Sequence, residues 1–199
     1  MTGTLVHLVR HGAHDLVGHV LAGRMPGVHL SAEGCAQAER LADRLANRPL
    51  AAVLSSPQLR AQETAAPIAA RHGLAIQVDP GLDELDFGAW QGMGFGALQE
   101  RPDWRAWNRA RGLAPGAPSG EAMVQAQARA LAVLAQARAR WPGSEVVLAG
   151  HQDVLRAALL GVLGAPLDLF GRIALAPGGR AAVRLWEDHA ELETLDNPP

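Results

Sequence analysis

The sequence contains no lysine and no tyrosine; all eighteen of its cationic side chains are arginine. A Walker-type phosphate loop needs its lysine and a Schiff base needs an amine, so neither can be built from these residues. Cysteine is nearly as scarce. Cys35 stands alone, which excludes an intramolecular disulfide or a cysteine zinc cluster. Its spacing to Ala38, Leu41 and Leu45 predicts a small core position on a helix face. Neither sign of charge dominates: the formal net charge is -2, which gives no general attraction for nucleic acid or anionic lipid. No apolar run reaches membrane-spanning length, and the N-terminus lacks the charged-then-apolar pattern of a signal segment. The expectation is a cytoplasmic protein without nucleic-acid or membrane partners.

What is present is apolar material in alternating patterns. Residues 4–9 (TLVHLV) read as a buried strand, and SAEGCAQAERLADRLAN reads as a helix opened by Ser31 as N-cap. LAAVLSS predicts a second strand, followed by a helix with Pro57 in its first turn that runs to His72 and stops at Gly73. LAIQVDP is a weaker third strand. Residues 85–120, with Trp90, Trp104 and Trp107 around a short helix, read as an insertion or lid over the core. A helix over 121–140, the strand EVVLAG, a helix through DVLRAALLGVL and late strands at RIALA and RAAVRLWED complete the chain. Strands alternating with helices predict an α/β fold, a three-layer α/β/α sandwich around a mainly parallel sheet with an antiparallel edge. With no repeat or long linker, residues 1–199 are expected to form one domain.

In an open parallel sheet, ligands bind beyond the carboxyl ends of the strands. HLVRHG and VVLAGHQD both run from a buried-type strand into a histidine beside a glycine. If those strands are parallel, His11 and His151 emerge at one edge, and Gly12 and Gly150 let the backbone turn or approach a ligand closely. Arg60 belongs to the first turn of the helix after SSP, where free N-H groups and the helix dipole already favour an anion. Arginine is permanently charged and forked to match phosphate. Two histidines and two arginines, Arg10 and Arg60, thus converge on one anionic group.

LVRHG, SSPQLRAQETA, LDELDFGAWQG, PSGE and VVLAGHQDVLRAALL resemble, in order and spacing, the histidine phosphatase superfamily, in its branch of phosphoglycerate mutase-like phosphatases. The resemblance covers nearly the whole chain. It implies a phosphoglycerate mutase-like fold and a metal-independent, cofactor-free phosphatase acting on a small phosphorylated substrate. It further implies His11 as nucleophile, Arg10, Arg60 and His151 around the transferred phosphoryl group, and Glu84 as proton donor. Two departures stand out. Ala13, His14 and Val17 occupy positions where many relatives carry other residues, including a phosphate-contacting Asn, which leaves His14 either a substitute contact or a surface residue. GHQD follows the second histidine's strand in place of a more usual pair of glycines, making Asp153 a rival to Glu84.

Other features have blander readings. Arg101, Arg105 and Arg109, beside Trp104 and Trp107, fit either a lid that binds a second anion or an amphipathic helix that buries Trp and solvates Arg, and the second reading is preferred. GMGFG, residues 92–96, lacks the preceding strand of a dinucleotide fingerprint and predicts a mobile loop. His7, His19, His29, His72 and His189 lack metal-ligand spacing. The alternatives to hydrolysis are mutase-type phosphotransfer, disfavoured because that subgroup's insertion carries a Lys, and a non-catalytic phosphate-binding module, which would not need Glu84. Apolar surface on an edge strand leaves room for a homodimer.

Overall fold

The computed structural model describes residues 3–197. Its sheet is built from β1 (Thr4–Arg10), β2 (Leu50–Ser55), β3 (Ile76–Val78), β4 (Glu145–Gly150), β5 (Arg180–Leu185) and β6 (Ala190–Asp196) in the order β3-β2-β4-β1-β5-β6. The first four are mutually parallel where they pair; β5 runs antiparallel to β1, and β6 antiparallel to β5. Helices α1 (Ala32–Leu45) and α2 (Leu59–Arg71) cover one face, and α5 (Met123–Arg140) and α6 (Gln152–Val162) cover the other. Between them come two short helices, α3 (Phe95–Glu100) and α4 (Pro102–Arg109). This is the expected three-layer α/β/α sandwich.

Alternation along the strands builds both cores. Val6 and Leu8 of β1, with Val146 and Leu148 of β4, join the cluster beneath α5 and α6. Val9, Val147 and Ala149, one residue out of phase, pack with Leu41, Leu45 and Ile68 on the other side. Both β1 and β4 are buried along almost their whole length, as strands covered on two faces must be. Among the described residues no helix is long and apolar enough to cross a membrane.

Local physics explains the helix starts. Ser31 caps α1 as expected, its hydroxyl accepting from the Gly34 N-H. Pro57 does not enter α2, which begins at Leu59 after Gln58 at the N-cap; Arg60 remains in the first turn. Cys35 is exposed, contrary to the core position predicted for it. The buried face of α1 is Gly34, Ala38, Leu41, Ala42 and Leu45, and position 35 lies about 100° around the helix from Gly34. Glycine sits at 34 because α1 crosses the loop after β1 at backbone contact. A Cβ there would lie 2.0 Å from the Ala13 carbonyl oxygen, and one on Gly12 would lie 2.5 Å from that of Gly34. Gly12 therefore serves helix packing.

One further expectation fails at the C-terminal end, and one strand there goes unpredicted. RIALA is not a strand, because β5 already occupies that side of β1. Ile173 and Leu175 instead enter the core, and the Leu175 carbonyl accepts from Arg10. The antiparallel edge is the β5-β6 hairpin, and β6 (AELETLD) is too acidic to read as a strand by apolar content. Its charges suit an outer edge, where they discourage pairing with another chain.

Candidate active site

The register between neighbouring strands fixes the first pair of residues. Arg10 is opposite Gly150 in the parallel β1-β4 ladder, so His11 and His151 follow one step beyond it. Their ring centroids are 5.1 Å apart, and that of His14 lies 5.3 Å from His11. Arg10, His11, His14, Arg60 and Glu84 line one cavity of about 320 Å³, backed by the fully buried His151. All five residues expected to form the site are brought together. A larger groove, about 650 Å³, lies at the opposite end of the strands against Trp186 and His189 and contains none of them.

His11 is arranged to be neutral with a defined tautomer. Its Nδ1 is 2.7 Å from the Gly12 carbonyl oxygen. A carbonyl only accepts, so Nδ1 carries the proton and Nε2 keeps its lone pair. Burial, then the charges of Arg60 and Arg10, hold its pKa well below the ordinary histidine value. The loop is fixed further by the Gly12 N-H donating to Thr64 Oγ1 at 3.0 Å and the His11 carbonyl accepting from Gly178. His151 is depressed in the same direction, by burial and then Arg60. Its Nδ1 accepts from Arg60 Nη2 at 3.2 Å, leaving Nε2-H to donate to Ser56 Oγ at 2.7 Å.

The two arginines present unsatisfied donors. Arg10 spends Nη1 on the Leu175 carbonyl, and Arg60 spends Nη2 on the Gly23 carbonyl at 2.6 Å. Arg10 Nε, Arg60 Nε and Arg60 Nη1 are buried with no hydrogen-bond partner. Leaving charged donors unpaired in the interior costs on the order of 1–3 kcal/mol or more per group, so a fold that holds three in one place is matched to an anion. The N-terminus of α6, which begins directly after His151, adds a partial positive charge.

Glu84 sits in an extended stretch between two 3-10 turns, Pro80–Leu82 and Gly88–Trp90. It is buried, and desolvation followed by the negative charge of Asp153 pushes its pKa up to about 8. The carboxyl is therefore protonated at neutral pH. Its placement depends on residues that motif reading did not assign. The Glu84 carbonyl accepts from Arg24 Nε at 2.7 Å and Arg129 Nη2 at 3.1 Å. Glu121 ties those two arginines together, accepting from Arg24 Nη2 at 3.1 Å and Arg129 Nε at 2.7 Å. Glu121 closes the PSGE motif, whose Ser119 takes the left-handed φ of 60° that non-glycine residues seldom adopt. The motif was visible in the sequence; its two arginine partners were not.

The remaining candidates resolve as follows. His14 is buried at the cavity rather than on the surface, its Nδ1 has no partner, and burial with Arg60 and Arg10 pushes its pKa down to about 4. Asp153 also lines the cavity, but its Oδ2 is engaged by Arg111 Nη1 at 3.1 Å. Arg101, at the N-cap of α4, pairs with Asp103, and Arg105 within it bonds the Gln99 carbonyl, while Trp104 and Trp107 are buried; the amphipathic reading holds. GMGFG is pinned to the loop after β1 by backbone bonds from Leu21 to Met93, Gly92 to Leu21 and Phe95 to His19, so it forms a wall and not the mobile loop expected of it. His7 is committed to Glu145 at 3.0 Å.

Comparison with known proteins identifies the family and the fold. The family profile of the histidine phosphatase superfamily (branch 1) matches residues 6–198. An uncharacterized Mycobacterium tuberculosis protein is 50% identical over 154 residues, covering 75% of this chain and 73% of its own. Glucosyl-3-phosphoglycerate phosphatase of M. tuberculosis is 31% identical over 169 residues, covering 80% and 75%. Among solved structures, Bacillus stearothermophilus YhfR superposes with a TM-score of 0.89 at 25% identity, over 96% of this chain and 95% of its own.

Proposed function

The chain belongs to the histidine phosphatase superfamily, and on that premise we propose that it hydrolyses a phosphomonoester through a phosphohistidine intermediate on His11. The observation that carries this reading is the set of buried, unpartnered guanidinium N-H groups of Arg10 and Arg60 in the cavity that also holds a neutral His11. Phosphoryl transfer asks a protein mainly for positioning and for positive charge around the equatorial oxygens. Forked arginine donors supply both, and no metal ion is needed for that field.

In the first step the His11 Nε2 lone pair forms a bond to phosphorus, the ester P-O bond breaks, and Glu84 delivers its proton to the departing oxygen. In the second, a water attacks phosphorus, gives a proton to the Glu84 carboxylate, and the N-P bond breaks with its electrons returning to Nε2. Glu84 thus begins as acid and acts next as base, a cycle favoured by a pKa near the working pH. Arg10 and Arg60 hold the phosphoryl group, His151 stands behind Arg60 and orients it through Nδ1, and His14 is positioned to add a contact. Asp153, engaged by Arg111, contributes charge while Glu84 carries the proton.

Relatives named as phosphatases support release over transfer. The purified protein is expected to release inorganic phosphate stoichiometrically from alkyl phosphomonoesters. A coupled assay in which phosphate moves to a second hydroxyl faster than it is released would make the protein a mutase, and an ester that binds without turnover would make it a binding module.

A further inference from the structure

Beyond the phosphate cage, the cavity changes character. Its other walls are mainly apolar, Val17, Val20 and Leu21 from the loop after β1, Phe87 and Phe95 from the insertion, and Pro177, with Gln152 beside Asp153. The backbone bonds that join residues 19–21 to 92–95 make this wall a built surface. The charged side chains lining the cavity apart from Arg10 and Arg60 are both carboxylic acids, Glu84 and Asp153.

No cation besides Arg10 and Arg60 lines this chamber, and Arg156, one turn beyond Asp153, lies outside the lining with its guanidinium carbon 5.0 Å from the Phe170 ring centroid. Arg111 lies with its guanidinium carbon 3.8 Å from the ring centroids of both Trp107 and Phe170, and donates to Asp153 and Asn108. Arg24 is held by the Glu84 carbonyl and Glu121. A substrate carrying a second anion would bring it against mainly apolar side chains and the Asp153 carboxylate, with no cation in the lining beyond the phosphate cage to receive it, which is unfavourable in a partly desolvated site. An apolar group there would displace water and contact the two phenylalanines.

We propose that the preferred substrate, given the phosphatase reading on which this rests, is a phosphomonoester whose leaving group is apolar and carries no second anionic charge.

The test compares 2-phenylethyl phosphate with 3-phosphoglycerate, two alkyl esters, with methyl phosphate as the minimal ester and the His11→Ala protein as blank. The kcat/KM for 2-phenylethyl phosphate is expected to exceed that for 3-phosphoglycerate by about a hundredfold, the effect of one unmet charge. Phe95→Ala is expected to raise the KM for 2-phenylethyl phosphate ~10-fold with kcat retained and methyl phosphate unaffected; Phe95→Arg is expected to move the preference toward 3-phosphoglycerate. Equal or better turnover of 3-phosphoglycerate, or a Phe95→Ala loss that is the same for methyl phosphate, overturns the proposal. His11-dependent release with the ranking reversed overturns this inference alone, whereas no release from any ester overturns the phosphatase reading and this inference with it.

Discussion

Substituting His11 by Ala is expected to lower phosphate release by roughly four orders of magnitude or more, because it removes the atom to which phosphorus is transferred. No neighbouring imidazole can take over. Both His151 nitrogens are engaged, by Arg60 and Ser56, and His14 approaches only to a ring-centroid distance of 5.3 Å. Since His11 is buried and bonds the Gly12 carbonyl, His11→Asn, which retains a donor for that carbonyl, separates loss of the nucleophile from loss of the fold. Steady-state release together with a thermal melt distinguishes them: an equal collapse of activity in both variants with folding retained is the expected pattern.

The second large effect is at Glu84. With an alkyl ester, Glu84→Gln is expected to reduce kcat by about 10²–10⁴-fold, the usual contribution of a positioned acid-base group. The loss should be much smaller for p-nitrophenyl phosphate, whose leaving group needs little protonation. The pH dependence follows from the raised pKa. The acid acts in its protonated form, so kcat/KM should be sustained through neutrality and fall as pH rises through about 8. That falling limb should vanish in Glu84→Gln. Stability should move in parallel, because a folded pKa above the unfolded value favours the fold fully below the usual carboxylate range and progressively less as pH climbs to about 8. Urea midpoints across that window should therefore decline in the parent and stay flatter in the variant. An unchanged pH-rate profile would move the acid's role to Asp153.

How much of this was readable from residues alone depended on regularity. Arg10, His11 and His151 were accessible because two buried strands end in them, and adjacency of β1 and β4 in a parallel ladder converts two sequence positions into one site. Arg60 followed from the first turn of a helix. Glu84 belongs to no repeating element, and only the resemblance of LDELDFGAWQG pointed to it. Its clamp was hidden more deeply. Arg24 lies far along the chain from Glu121 and Arg129; the two arginines meet on the Glu84 carbonyl and Glu121 bridges them, a contact that periodicity cannot encode. Cys35 misled because its spacing fits a helical face, while the face that is buried was chosen by the backbone contact at Gly34. RIALA has strand composition, but β5 occupies the side of β1 beside it.

The direct test of the central claim is rapid-quench labelling with a substrate radioactive at phosphorus. Acid-labile, base-stable label is expected on His11 within one turnover and absent from the His11→Ala protein. A protein that turns over substrate at full rate while His11 never acquires label would contradict the account.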